Sequence, residues 1–142
     1  MEGPVQRVER IEYYYTLVPN RVGAGAEVFN KLKAHRVNLL AFNGFPLNAR
    51  KSQLDLVPSS GAALVEAAKK VGIELVGPKV AFLISEWEHL GAVSDLLNKL
   101  AEAGVNVTAM QAIETGDWRY GAIIWVKPSS LGKAAEALGI SP

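Results

Sequence analysis

Apolar positions along the chain recur with two periods, and the periods alternate in an order that is run through twice. Tyr13, Tyr15 and Leu17 stand at every second place of 11–18, the spacing of a strand with one buried face. Val28, Phe29 and Leu32 then fall on one side of a helix, with Glu27 and Lys31 opposite as an acid-then-base pair at i, i+4. A loop around Pro46, Asn48 and Ala49 leads into the strand Leu54–Val57, and Pro58 in VPSSG ends it. AALVEAAKKVGI reads as a second helix, with a serine before it as cap and Gly72 as its left-handed stop. Ile73–Val76 is a further short strand.

The order then repeats. Val80–Ser85 is a strand, and Val93, Leu96, Leu97 and Leu100 at i, i+3, i+4 and i+7 mark a helix. Val105, Val107 and Ala109 alternate with polar neighbours. Thr115-Gly116-Asp117 turns the chain, and Ala122–Val126 returns it. VKPSSLG and the helix KAAEALGI close the second round, with Gly139 in the place of Gly72.

The two rounds also share residues. RVGAGAEVFNKLKAHRVNL at 21–39 lies over HLGAVSDLLNKLAEAGVNV at 89–107 with a shift of 68, matching Gly23 to Gly91, Asn30-Lys31-Leu32 to Asn98-Lys99-Leu100, and Val37-Asn38 to Val105-Asn106. Such self-similarity is the mark of a duplication. The expected fold is α+β: two tandem ferredoxin-like βαββαβ subdomains, with antiparallel sheets and helices on one face. Repeat 1 covers 5–72 with 73–78 as its last strand, and repeat 2 covers 73–140. Repeat 2 lacks a fourth strand after Ile140. Val5–Val8 matches Ile73–Val76 at the same shift, so strand 5–9 is expected to fill the vacant edge by exchange, within one chain or between two. One mismatch remains. With Tyr13, Tyr15 and Leu17 facing inward in one first strand and Phe82 and Ile84 in the other, the copies differ by one residue, which predicts a bulge or unequal loop there.

Composition narrows the function. Hydrophobic residues at 49% and charged residues at 20% support a packed core, and a net charge of +1 over 142 residues gives no field to hold nucleic acid or an anionic membrane. With no cysteine, disulfide and thiolate chemistry are absent, as suits a reducing, cytoplasmic setting. MEGPVQRVER has no apolar core of a signal peptide, and AIIWV is far short of a membrane span.

Little in the chain carries chemistry. Glu86, Glu88 and His89 are the nearest approach to a metal or acid–base cluster, yet they sit on one segment, and acids gather before a helix start for electrostatic reasons alone. No metal, cofactor or catalytic residue is expected. Tyr13–Tyr15 alternate across a strand, and Trp87, Trp118 and Trp125 read as packing residues. The repeated loops, Pro19–Gly23 and Trp87–Gly91, each join a strand to a helix start, where unpaired N–H groups suit a carboxylate. Asn38 and Asn106 open the strands that follow.

Strand, glycine loop, helix with NKL, then V-N and a strand: this order resembles the ACT domain, closely in HLGAVSDLLNKLAEAGVNVTAM and more loosely in RVGAGAEVFNKLKAHRVNLLAF. The resemblance implies a regulatory module that binds a small molecule, an amino acid, at interfaces of paired domains, forms a homodimer and acts on a metabolic enzyme partner. It places ligand contacts at Asn20, Val22, Gly23 and Asn38 in one copy and at His89, Leu90, Gly91 and Asn106 in the other. Arg36 departs from the glycine that stands at Gly104. Two alternatives stay open: a partner-binding module without ligand, and a small dimeric α+β barrel enzyme using His89 with Glu86 or Glu88.

Overall fold

A computed structural model describes residues 6–87 and 89–140. They form an α+β fold of six strands and four α-helices. The strands are β1 (Arg7–Pro19), β2 (Leu39–Pro46), β3 (Lys51–Pro58), β4 (Val76–Trp87), β5 (Val107–Gly116) and β6 (Arg119–Val126). The helices are α1 (Ala24–Ala34), α2 (Gly61–Val71), α3 (Ala92–Glu102) and α4 (Leu131–Ala137). Residues 7–9 of the strand expected at 5–9 run on into the strand expected at 11–18 as one strand, β1, and Val5 lies outside the described residues; Ile73 and Leu75 precede β4, which runs on through Trp87.

The chain divides into two compact units. One is continuous, Glu12–Lys79; the other is discontinuous and joins residues up to Ile11 with those from Val80 onward. β1 and β4 thus each supply residues to both units. Within the continuous unit β3 pairs antiparallel with β1 and with β2; within the discontinuous unit β6 pairs antiparallel with β4 and with β5.

The two registers coincide under the shift of 68. Tyr14 pairs with Leu56 as Phe82 pairs with Ile124, and Val18 with Ser52 as Glu86 with Tyr120. The side of β1 that packs with the helices is therefore Tyr14, Thr16 and Val18, not Tyr13, Tyr15 and Leu17. Tyr14, Thr16 and Val18 are buried while Leu17 is exposed. This corrects the sequence reading and removes its one-residue mismatch, since Tyr14 and Thr16 fall on Phe82 and Ile84. Three consecutive tyrosines cannot reveal which parity is inward. The bulge lies elsewhere: β2 shifts register between Leu39 and Ala41, and β5 between Val107 and Ala109, the same place in both copies. In consequence Met110 rather than Ala109 packs against the core.

Each unit has its own core. Ala24, Val28 and Leu32 of α1 pack with Tyr14, Val18, Leu54, Leu56 and Leu64. Ala92, Leu96 and Leu100 of α3 take the same places against Phe82, Ile84, Ile124 and Ala134, and Val8 from β1 joins this second core. The stripe of α3 is thus narrower than expected, because Val93 and Leu97 stay exposed. Ser60 caps α2 by accepting from the Ala63 N–H at 3.2 Å. Its counterpart behind Pro128 does not cap α4; Pro128–Ser130 instead forms a 3-10 turn, and Ser130 makes no side-chain cap bond. Gly72 and Gly139 have the left-handed conformation expected of helix stops. Ala122, Ile123, Ile124 and Trp125 are all buried, so β6 is covered on both faces. Of the tryptophans read as packing residues only Trp125 is buried: Trp87 is exposed at the end of β4, and Trp118 sits in the β5–β6 turn at positive φ and is 77% exposed.

Candidate functional site

Each of the two repeated loops, before α1 and before α3, ends in a glycine N-cap in the left-handed conformation, Gly23 at φ 86° and Gly91 at φ 80°, and neither helix has a side-chain cap bond. A Cβ at either glycine would meet nothing within 4 Å, so backbone conformation, not crowding, selects glycine here. A helix start without a capping side chain leaves backbone donors free for a ligand.

A cavity opens beside each loop. In the discontinuous unit it measures about 320 Å³ and is bounded by His89, Gly91, Val93, Ile113, Glu114 and Tyr120. In the continuous unit it measures about 230 Å³ and is bounded by Asn20, Arg21, Gly25, Phe45, Pro46 and Ser52. The shift of 68 carries one onto the other: Arg21 onto His89, Gly25 onto Val93, Phe45 onto Ile113, Pro46 onto Glu114 and Ser52 onto Tyr120. A third opening, about 400 Å³, runs along α3 past Gln6, Glu86, Asp95 and Lys99.

The chemistry of the two paired cavities differs. Val18 in the continuous unit is replaced by Glu86 in the discontinuous one, where the carboxylate side chain is only 13% exposed. Tyr120 donates its hydroxyl to Glu86 Oε2 at 2.8 Å, Gln6 Nε2 donates to the same oxygen at 3.0 Å, and His89 Nε2 lies 2.9 Å from Glu86 Oε1. Burial pushes the Glu86 carboxyl up, but the three hydrogen bonds and the charge on His89 outweigh it and hold the group below its ordinary value. The bond to Glu86 raises His89 above its ordinary value, helped by the Leu90 carbonyl 3.3 Å from Nδ1. Both imidazole nitrogens therefore face acceptors, and the doubly protonated ring satisfies both. A ring so engaged has no lone pair to offer as a general base. Burial, then Glu86, raises the Tyr120 hydroxyl far above its ordinary value, so it stays a donor.

The anticipated contacts divide. Asn20, His89 and Gly91 border the cavities. Asn20 Nδ2 donates to the Asn48 carbonyl at 3.0 Å, which ties the loop to the β2–β3 turn. Val22 and Leu90, at matching loop tips, are fully exposed. Gly23 shapes its loop without lining the cavity. Asn38 and Asn106 lie outside both; the Asn38 carbonyl accepts from the Ser59 N–H at 3.0 Å. Glu88 lies outside the described residues. Among the described residues no three acidic, histidine or cysteine side chains gather as metal ligands, and no helix is long and apolar enough to cross a membrane. Sequence reasoning passed over Tyr120, Ile113 and Gln6. Their signal was present in the repeat itself: Glu86 for Val18 and Tyr120 for Ser52 are paired departures between copies.

No protein-family model and no curated protein matches the chain. Solved structures do. A protein from Bacteroides thetaiotaomicron superposes with a TM-score of 0.79 at 22% identity, over 92% of this chain and 88% of its own. The ligand-free regulatory subunit of aspartate kinase from Thermus thermophilus superposes with a TM-score of 0.62 at 19% identity, over 96% and 95% of the two chains. The fold is ACT-like. The regulatory subunit of aspartate kinase from Thermus flavus gives 0.57 at 18% identity, again over 96% and 95%. Across this ACT-like fold the likeness therefore spans both copies of the repeat, not one alone.

Proposed function

We propose that the chain is a regulatory module that binds a small carboxylate-bearing metabolite, an amino acid, beside its two glycine loops and catalyses no reaction of its own. The observation that carries this reading is the pair of cavities at repeat-equivalent positions, each next to a helix start with a glycine N-cap and no side-chain cap. Volumes near 300 Å³ lie at the small end of ligand pockets, in keeping with a single metabolite. The aspartate kinase regulatory subunits of similar fold support a regulatory rather than catalytic role. The engagement of both His89 nitrogens speaks against the acid–base enzyme alternative.

In this reading the two copies are ferredoxin-like subdomains that exchange their outer strands. Supporting it, the chain up to Ile11 groups with the chain from Val80, Val8 packs in that core, and Gln6 bonds to Glu86. The module acts in the cytoplasm as a homodimer on a metabolic enzyme partner, and ligand binding orders the loops and shifts an equilibrium between partner-binding states. Asn20, Gly23, His89 and Gly91 belong to the ligand loops; Val22 and Leu90, exposed at the tips, meet whatever pairs with them.

The test is a thermal-shift screen against the twenty amino acids. A ligand at a hundred times its dissociation constant stabilises the fold by about 2.7 kcal/mol, a clear shift in the melt. A selective shift, lost on Gly91→Val, bears the reading out. A flat response at millimolar concentration transfers the assignment to a partner-binding module without ligand.

A further inference from the structure

We infer that Glu86 is the positioning residue of the cavity in the discontinuous unit: it holds His89 with both ring nitrogens donating and Tyr120 with its hydroxyl turned inward, so that this cavity and its counterpart bind unequally. The inference rests on the ligand-binding reading and extends it to the question of which copy does the binding.

Three observations meet at Glu86. It is the cross-strand neighbour of Tyr120, and two of the cavity-lining polar side chains, His89 and Tyr120, end on its carboxylate. The carboxylate is nearly buried, and Gln6 shares Oε2 with Tyr120, donating at 3.0 Å. In the continuous unit none of this can form, because Val18 and Ser52 occupy the equivalent places. There Arg21 turns instead to Glu27, 3.2 Å away.

The consequence for a ligand is electrostatic. His89 cannot hydrogen-bond a ligand through nitrogens already donating to Glu86 and Leu90; it contributes positive charge beside the start of α3, where a carboxylate meets free backbone N–H groups. Besides Glu86, the charged groups around it are Asp95 from α3 and, lining the same cavity, Glu114 from β5; the Tyr120 hydroxyl from β6 stays neutral. The Glu114 carboxylate, which lines the same cavity, suits the ammonium of an α-amino acid. When His89 loses its proton, one nitrogen is left facing an acceptor without a hydrogen, the loop loosens, and the charge is gone. Free α-amino acids are still largely zwitterionic at pH 8.5, so a tenfold change of affinity between pH 5.5 and 8.5 exceeds what the ligand's own titration gives and comes from the protein.

The experiment follows the backbone amides of 15N-labelled full-length protein during titration with an equimolar pool of the L-amino acids other than histidine and cysteine. Glu86→Gln and Glu86→Asp are run beside the natural sequence. The expected result is a shift of the Gly91–Ser94 amides that needs at least tenfold more of the pool at pH 8.5 than at pH 5.5, with little response at Gly23–Gly25. Glu86→Gln should bind weakly at both pH values, and its His89 imidazole should titrate below that of the natural protein; Glu86→Asp should restore part of the pH dependence. Equal response at the two loops, or an unchanged pH profile in Glu86→Gln, overturns the role of Glu86 and leaves the ligand reading standing. No amide shift at either loop in the natural protein, which needs no variant to fold, overturns both.

Discussion

Arg36 and Gly104 close the first helix of each copy, and both are left-handed, at φ 57° and 74°. For arginine that conformation costs about 1–2 kcal/mol through Cβ crowding; glycine avoids it but gives up about 0.5–1 kcal/mol of chain entropy. The first effect is larger. Arg36→Gly is therefore expected to raise stability by about 0.5–1 kcal/mol, and Gly104→Ala to lower it by about as much, both read from urea melts. Nothing lies within 4 Å of a Cβ at Gly104, so packing does not blur the comparison. The departure at Arg36 was visible in the sequence as a broken match between copies; its cost needed the dihedral angle. Glu86 and His89 were visible too, but only as neighbours along a strand end. That Tyr120 and Gln6 complete the group, from 34 and 80 residues away, depends on which strands lie side by side.

At the scale of elements, helix periods were easier to read than strand faces. A helix shows its buried side through residues three and four apart, so Leu96 and Leu100 were found, and only the width of the stripe was overstated. A strand shows it by parity, and parity fails where both kinds of neighbour are aromatic, as at Tyr13–Tyr15, or where a bulge intervenes, as before Ala41 and Ala109. The shared punctuation VPSS and KPSS also hid a difference. Ser60 caps a helix of eleven residues, whereas Ser130 ends a 3-10 turn and caps nothing. Ser60→Ala should cost about 1 kcal/mol and Ser130→Ala close to none, a contrast that paired denaturation curves will reveal. A loss of similar size from both would show that hydroxyl bonding is not what distinguishes them.

For the molecule as a whole, the duplication was the most legible feature, because residues 21–39 and 89–107 share identities and the same order of strand and helix periods runs on from each. Which segment groups with the second copy was legible only through the match of Val5–Val8 to Ile73–Val76. The structure groups the described residues up to Ile11 with those from Val80 onward, and Val8 is packed in that core. A fragment spanning 80–142 alone should accordingly show reduced helical circular dichroism and self-association. Fusing residues 1–11 to its end through a flexible linker should restore a monodisperse, cooperative melt. If the bare fragment already folds as well as the fusion, the first strand is an accessory to that unit and not a part of it.

The divided unit also sets a timetable for biosynthesis. Glu12–Lys79 is continuous and can condense while translation proceeds. The segment ending at Ile11 leaves the ribosome early, yet its core companions extend to Leu138. At about 5–20 residues per second, it waits on the order of 6–25 s for them. During that interval the same segment on a neighbouring nascent chain is an equally good match, so polysome crowding and chaperone occupancy, rather than the finished fold, decide whether a strand closes on its own chain or on a sister's.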